Sequence, residues 1–273
     1  MSIKEKAAFN SSLFLLIGHK FKLQRRIIMR IDGRNNTCLR EIKITKNFME
    51  NADGSVFIEF GNTKVICTAT VEEKTPVFLA GTGEGWITAE YSMLPASTHV
   101  RKVRESSKGK LDGRTQEIQR LIGRSLRSAV DLKNLGERTI WIDCDVVQAD
   151  GGTRTAAITG GYLALVYCIG SMIDKGTISV SPIKNYIGAV SVGIHNGVEI
   201  LDLSYIEDLN AQVDMNLVMN DKNEFIEIQG TAEQGSFPMT SLERLLKIGQ
   251  AGIETIIGIQ KETLGELNSL VVI

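Results

Sequence analysis

The sequence predicts an α+β fold built from duplicated strand–helix units within one large domain. Two groups of short, β-branched stretches each end in a longer amphipathic stretch with helical periodicity, which is typical of this class. The strand stretches occupy 39–45, 55–60, 63–71 and 86–93 in the first group, and 186–194, 198–203, 210–219 and 224–229 in the second. The repeat is one of pattern only, because the two groups share no residue motif.

Composition limits the class of protein. The chain has 273 residues, of which 43% are hydrophobic and 23% charged, and its net charge is −1. A sizeable core is therefore expected, and a nucleic-acid site would need a local basic patch. The four cysteines are scattered without a C-x-x-C pair, which disfavours zinc and disulfides and suits a reducing cytoplasm. The apolar runs look too short and interrupted to span a bilayer, so we expect no membrane partner.

We expect residues 1–28 to form a poorly ordered N-terminal extension. Most of its positive charge follows the apolar run Leu13–Ile17, whereas a signal peptide has charge before that run. An upstream start codon, with Met29 as the effective beginning, is the other interpretation. We divide the remainder into 29–180 as the first part, 181–267 as the second part and 268–273 as a C-terminal tail.

The stretch 101–138 carries the basic patch. It contains eleven Lys/Arg and five acidic residues. We predict a helix capped by Thr115, with Arg114 just before its start, where a cation does not suit the helix dipole and a bound anion would explain it. Arg120, Arg124 and Arg127 share another face, which we interpret as a solvated or subunit-contact stripe. The loop 97–113 is long and basic enough to hold a polyanion.

A predicted strand over 139–148, a glycine turn and a buried helix follow one another within the stretch 138–176. The turn is Ala149–Gly152, and Thr153-Arg154-Thr155 opens the helix. Unpaired N–H groups at a helix start, glycines that allow close approach and a fixed positive charge on Arg154 together suit an anion. The alternative is a structural turn with Thr153 as N-cap and Arg154 in solvent. The loop lacks the Walker lysine and the third glycine of a dinucleotide site.

The second part is acidic around Asp208 and Asp214. On one straight strand their Cα atoms would be about 20 Å apart, but a turn over 207–210 would let them converge. Converging carboxylates near a phosphate site suit Mg²⁺, and a solvated hairpin is the alternative. Glu233 is either a third ligand or simply a loop residue. The three histidines lie in unlike settings, so neither a histidine metal cage nor a triad is indicated.

Several motifs, in order from Met29 to about Leu267, closely resemble the bacterial ribonuclease PH family of phosphorolytic exoribonucleases. They are Met29–Arg34 (MRIDGR), Gly85–Tyr91 (GWITAEY), Gly113–Arg124 (GRTQEIQRLIGR), Asp143–Val146 (DCDV), Gln148–Thr155 (QADGGTRT), Val213–Asn216 (VDMN) and Glu227–Glu233 (EIQGTAE).

The resemblance implies a ribosomal protein S5 domain 2-like fold and a homohexamer, a trimer of dimers. It implies a tRNA nucleotidyltransferase, a cytoplasmic 3′→5′ exoribonuclease that trims tRNA precursor 3′ ends with inorganic phosphate and releases nucleoside 5′-diphosphates. The reverse nucleotide addition is also expected. By family position, phosphate is bound by Arg114, Gly152, Thr153 and Arg154, RNA by Arg101 and Arg104, and Mg²⁺ by Asp208 and Asp214; the catalytic set is Arg114, Arg154, Asp208 and Asp214.

Two features depart from the family pattern. The family usually has arginine after Met-Leu-Pro, whereas Met93-Leu94-Pro95 is followed here by Ala96. One cation on the RNA path is therefore missing from each subunit. The 28-residue extension is also outside the pattern.

Overall fold

The computed structural model describes residues 30–272 in two units, 30–35 and 36–272. The first unit is a short turn in which the Gly33 N–H donates to the Arg30 carbonyl (2.8 Å) and Arg34 pairs with Asp32 (2.6 Å). The predicted extension, residues 1–28, lies outside the described residues.

Two sheets carry the strands of the second unit. The first is five-stranded, in the order β1-β2-β3-β5-β4, and only the β4–β5 pair is parallel. The second is a four-stranded antiparallel sheet, β7-β6-β8-β9. The strands are β1 Ile42–Lys46, β2 Gly54–Phe60, β3 Thr63–Glu72, β4 Trp86–Met93, β5 Thr139–Gln148, β6 Ile187–His195, β7 Val198–Leu201, β8 Val213–Asn220 and β9 Phe225–Ala232.

Helices follow each group of strands, as the pattern predicts. They are α1 Glu105–Lys108, α2 Gly113–Ser128, α3 Leu132–Leu135, α4 Thr153–Asp174, α5 Tyr205–Leu209 and α6 Met239–Leu264, with 3₁₀ turns at Val77–Leu79 and Gly265–Leu270. The predicted boundary at 180/181 lies between α4 and β6. The predicted tail begins inside the second 3₁₀ turn, and Val271 beyond it is buried.

Helix α4 is the centre of the core. It packs against β2 and β3 of the first sheet and β6 of the second. Gly160 explains part of the small-residue content of α4, because a Cβ there would lie 2.7 Å from the Cys67 Sγ and 2.8 Å from Ile58. Cys67, Cys144 and Cys168 are buried free thiols, and Cys38 is exposed.

The expectation that every apolar run is too short and interrupted to span a bilayer is wrong for α4. Its 22 residues have a mean hydropathy of 1.7 over the most apolar window, which is long and apolar enough for a span. However, 83% of that window is buried inside the protein. A helix between two sheets must be apolar on all sides, so the composition of α4 is that of a core helix.

Candidate active site

A cavity of about 320 Å³ lies where the two halves of the chain meet. It opens between the end of β4, the first turns of α2 and α4, the short helix α5 and strand β8. Its lining residues are Met93, Thr98, Lys102, Arg114, Ala149, Gly151, Gly152, Thr153, Arg154, Ser191, Leu203, Tyr205, Asp208, Asp214 and Asn216. All six residues predicted to bind phosphate or metal are therefore brought together.

The glycine turn between β5 and α4 forms the floor of this cavity. Gly151 and Gly152 adopt φ of 74° and 63°, in the left-handed region that favours glycine. A Cβ on Gly151 would overlap the Leu203 carbonyl oxygen and lie 2.8 Å from the Ser204 carbonyl carbon. Gly152, and not Thr153, is the N-cap of α4. The Thr153 hydroxyl instead accepts a hydrogen bond from Tyr91 (2.9 Å).

A buried ion pair between Arg40 and Asp202, which the sequence analysis did not predict, supports the glycine turn. The Arg40 guanidinium bonds both carboxylate oxygens of Asp202, at 2.7 and 3.0 Å. It also donates to the carbonyl oxygen of Asp150 in the turn. Burial opposes the charge of Arg40, but the Asp202 carboxylate raises its pKa overall. The guanidinium therefore links Asp202, the residue after β7, to the glycine turn, although Arg40 lies 110 residues from Asp150 in sequence.

Arg154 is held by two side chains from different elements. Its Nη1 donates to the Gln229 Oε1 on β9 (2.9 Å) and lies 3.3 Å from the Glu117 Oε1 on α2. The Gln229 amide in turn donates to the same Glu117 oxygen (3.0 Å), which closes a triangle. The Arg154 side chain is 16% exposed, so the interpretation that places it in solvent is wrong.

Arg114 lines the same cavity and is exposed. Helix α2 begins at Gly113 with Asp112 as N-cap, so Arg114 is inside the first turn and not before it. Thr115, predicted as the cap, is buried, and its hydroxyl donates to Glu105 (2.6 Å). The predicted cap is three residues too late, because Gly113 weakens the helical pattern at the start of α2.

Asp208 and Asp214 form the acidic wall. Asp208 is on α5, so residues 207–210 are largely a short helix and not the predicted turn. Burial raises the pKa of Asp214 to about 6, and the Asp208 carboxylate adds to this rise. Burial also raises the pKa of Asp208, while the charges of Arg114 and Arg154 oppose it. The two carboxylates and two arginines therefore act on one another across one cavity.

The carboxylate pair fits the preference of Mg²⁺, which takes one or two carboxylates and leaves its other positions to water and substrate phosphate. In residues 30–272 no group of three or more His, Cys, Asp or Glu could hold a metal. Glu233 is exposed and is not a lining residue, although its charge raises the pKa of both aspartates. A two-carboxylate site is thus the arrangement available.

The predicted RNA-binding residues Arg101 and Arg104 are exposed in the loop before α2 and do not line the cavity. Lys102 between them does, and its backbone N–H donates to the Pro95 carbonyl (2.8 Å). The sequence shows that this loop is rich in cations, but it does not show which cation faces the cavity.

Tyr205 and Asn216 also line the cavity, although the sequence analysis did not predict them as site residues. Tyr205 is three residues before Asp208, and Asn216 is two residues after Asp214.

Arg127 is half-buried, so the interpretation of Arg120, Arg124 and Arg127 as a solvated stripe is wrong for Arg127, whereas Arg120 and Arg124 are exposed. Arg127 stacks over the Trp86 ring at 4.2 Å and donates to the Ile87 carbonyl (2.7 Å). Arg124 pairs with Glu227 on β9 (3.3 Å). Arg120 is exposed. Two of the three therefore fix α2 to neighbouring strands.

Solved structures share this architecture at low sequence identity. Rice (Oryza sativa) Rrp46 is 22% identical, with a TM-score of 0.69 over 86% of this chain and 100% of that chain. The Archaeoglobus fulgidus exosome with RNA bound to the active site is 19% identical, with a TM-score of 0.72 over 90% and 98%. An archaeal exosome core is 18% identical, with a TM-score of 0.67 over 93% and 98%. The fold is thus of the ribosomal protein S5 domain 2-like type.

Two sequence profiles identify the family of the chain as well as its fold. The profile for domain 1 of the 3′ exoribonuclease family (RNase PH) matches residues 38–168. The profile for domain 2 of the same family matches residues 185–252. The first match contains Arg114 and the glycine turn, and the second contains both cavity aspartates. The chain therefore belongs to the phosphorolytic 3′ exoribonuclease family of RNase PH.

Proposed function

We propose that this protein is a phosphate-dependent 3′→5′ exoribonuclease that trims the 3′ ends of tRNA precursors and releases nucleoside 5′-diphosphates. The observation that carries the proposal is the meeting of Arg114, Arg154, the glycine turn, Asp208 and Asp214 around one cavity. Cations and helix N–H groups bind phosphate, and paired carboxylates suit the accompanying metal. The motif resemblance supports tRNA as substrate and the cytoplasm as location.

The cavity residues have different roles in this reaction. Arg114, Arg154 and the N–H groups at Gly152–Arg154 hold inorganic phosphate on the cavity floor. One phosphate oxygen attacks the phosphorus of the last phosphodiester bond. The bond to the 3′ oxygen of the shortened RNA breaks, that oxygen takes up the proton that the attacking hydrogen phosphate loses, and the nucleoside diphosphate leaves. The bond formed resembles the bond broken, so the reverse addition of nucleotides also runs.

Positioning and charge neutralisation supply most of the catalysis. Two anions repel each other, and the arginines offset this repulsion while holding the phosphate in line. Asp208 and Asp214 would hold Mg²⁺, which would supply further positive charge beside the reacting phosphates. Among the described residues that line the cavity there is no histidine. A nucleophile that is already an anion at neutral pH needs no such base.

The test is a product assay with and without phosphate. The protein is incubated with Mg²⁺ and either a tRNA precursor with a 3′ extension or an unstructured RNA, and the released nucleotides are separated by chromatography. We expect nucleoside diphosphates only when phosphate is present, and faster release from the precursor. Monophosphates would indicate hydrolysis. RNA binding without release would indicate a non-catalytic RNA-binding subunit.

Variants link the activity to the cavity. Arg154→Ala and Asp214→Ala should each abolish diphosphate release while the circular dichroism spectrum stays that of the wild type. Arg120→Ala is the matched control, because Arg120 is exposed on α2 but does not line the cavity. Full activity in either cavity variant would remove that residue from the mechanism.

We also propose a homohexamer, a trimer of dimers, on the basis of the resemblance. The chain has a mass of 30.0 kDa, so light scattering should give about six times that value. A stable monomer peak would contradict the ring.

A further inference from the structure

Two aromatic side chains meet at the edge of the cavity, and the proposed mechanism uses neither of them. The rings of His99 and Tyr205 have centroids 5.8 Å apart and are tilted by 45°. Tyr205 and Thr98, the neighbour of His99, are both lining residues. The pair therefore joins the basic loop before α2 to the acidic helix α5, directly beside the proposed phosphate site.

The Tyr205 ring is exposed but its backbone is anchored. Its N–H donates to the Asp150 carboxylate in the phosphate-site turn (3.1 Å). One residue earlier, Ser204 and the buried Glu207 form a capping box that fixes the start of α5. A ring on a fixed backbone loses little conformational freedom when a ligand binds to it, which favours binding.

Core packing does not explain this ring. Tyr205 is 41% exposed, and its neighbours Ile206 and Leu209 on the same helix are 50% and 68% exposed. Asp208 lies three residues after Tyr205, so the two side chains share one helix face. That face presents an aromatic surface and a carboxylate to the same cavity. A nucleotide offers the matching pair of groups, a flat base and a phosphate that can share a metal ion.

The positive charge around the two rings also favours a nucleotide as the ligand. Lys102, Arg114 and Arg154 line the cavity beside Tyr205. Lys102 would contact the RNA backbone, while the two arginines hold the inorganic phosphate. Proteins bind single-stranded RNA by placing bases on aromatic side chains next to such cations, and this stacking tolerates any sequence. An exonuclease must accept each base in turn, which requires this tolerance.

We propose that Tyr205 and His99 form a stacking subsite for the base of the 3′-terminal nucleotide of the RNA. This inference rests on the proposed function and names where the base of the departing nucleotide lies. The subsite holds the terminal nucleotide by its base while the cavity holds the phosphates. Its contribution should therefore appear in RNA binding and in the KM for RNA, and not in the KM for phosphate.

The experiment reads stacking directly. An RNA with 2-aminopurine as its 3′-terminal base is titrated with protein in phosphate-free buffer containing EDTA, so the RNA is not degraded. We expect quenching of the fluorescence by wild type and by Tyr205→Phe, which keeps the ring. Tyr205→Leu, of similar bulk but without a ring, should lose most of the quenching and bind roughly tenfold more weakly. His99→Phe and His99→Leu should show the same order with a smaller difference.

Three comparisons can overturn the proposal. The first is fluorescence quenching by Tyr205→Leu that equals the quenching by wild type, which would contradict a stacking role for the ring. So would an equal loss of affinity for RNA whose terminal nucleotide lacks a base, because no stacking is then removed. Equal quenching of 2-aminopurine placed ten nucleotides upstream would place the base elsewhere. If wild type shows terminal quenching but releases no diphosphate with phosphate and Mg²⁺, the proposed function fails while the subsite stands.

Discussion

Asp214 shows at the residue scale how the site opposes the stability of the fold. Burial, together with the nearby Asp208 carboxylate, raises its pKa from 3.8 to about 6. At neutral pH the folded protein therefore holds a half-buried negative charge that the unfolded chain would expose fully to water. Functional sites commonly carry such groups because the charge is needed for the reaction.

Replacing this charge should stabilise the protein. The folded state binds a proton at Asp214 up to about pH 6 and the unfolded state only to about pH 4, so stability falls as the pH rises through that window. In metal-free buffer containing EDTA at pH 7.5, Asp214→Asn should raise Tm by about 4 to 8 °C, equivalent to roughly 2 kcal/mol. The gain should vanish near pH 4, while diphosphate release is lost.

Calorimetry of the variant across this pH range is the measurement. Glu50→Gln is the control, because Glu50 is exposed in a loop, and it should leave Tm unchanged. A lower Tm for Asp214→Asn at pH 7.5 would show that the carboxylate is held by favourable contacts.

Ala96 offers a gain-of-function prediction. It is exposed, and the next residue, Ser97, accepts the Ala149 N–H through its carbonyl (2.8 Å), which places this loop beside the glycine turn. Ala96→Arg should add one phosphate contact, lower the KM for RNA several-fold and steepen the dependence of log K on log salt by about 0.7. Ala96→Gln adds length without charge and should change neither. An unchanged salt dependence in Ala96→Arg would mean that residue 96 is off the RNA path.

At the scale of elements, the turn between β5 and α4 depends on close contact with the segment before α5. Gly151→Ala combines a positive φ with overlap against the backbone of residues 203–205. We expect it to cost about 2 to 4 kcal/mol and to abolish diphosphate release. Gly109→Ala is the matched control, because its φ is also positive (69°) but its Cβ would meet nothing within 4 Å. It should cost roughly 1 kcal/mol and leave activity intact.

Urea denaturation and the product assay together test this pair. Similar losses of stability in both variants would show that φ alone, and not the contact with residues 203–205, determines the effect.

The elements that carry local signals could be predicted from the sequence. The strand–glycine turn–helix order placed the phosphate-site turn at Ala149–Gly152, and Trp86–Met93 and Thr139–Gln148 have the strand bounds expected. The supports of the turn could not be found in this way. Arg40 lies 110 residues from Asp150, and Gln229 lies 75 residues from Arg154, so no local pattern joins them.

The molecule as a whole joins two halves through one helix. The duplicated pattern predicted two groups of strands, and two sheets are present. Pattern alone gave neither the parallel pairing of β4 with β5 nor the position of α4 between the sheets, because both depend on contacts distant in sequence. The site lies at the same junction: Arg114 and Arg154 come from the first half, and Asp208 and Asp214 from the second.

Phosphate should therefore stabilise the whole unit. A ligand that binds only the folded state adds about 2.7 kcal/mol at one hundred times its dissociation constant, which raises Tm by about 5 to 10 °C in a domain of this size. We expect this shift for wild type with sodium phosphate relative to sodium chloride at equal ionic strength. Arg114→Ala and Arg154→Ala should each lose most of it. Arg120→Ala should keep it, because Arg120 is exposed on α2 but does not line the cavity. A full shift in Arg154→Ala would place the phosphate outside the glycine turn, and the nucleophile would then have to be held by other groups.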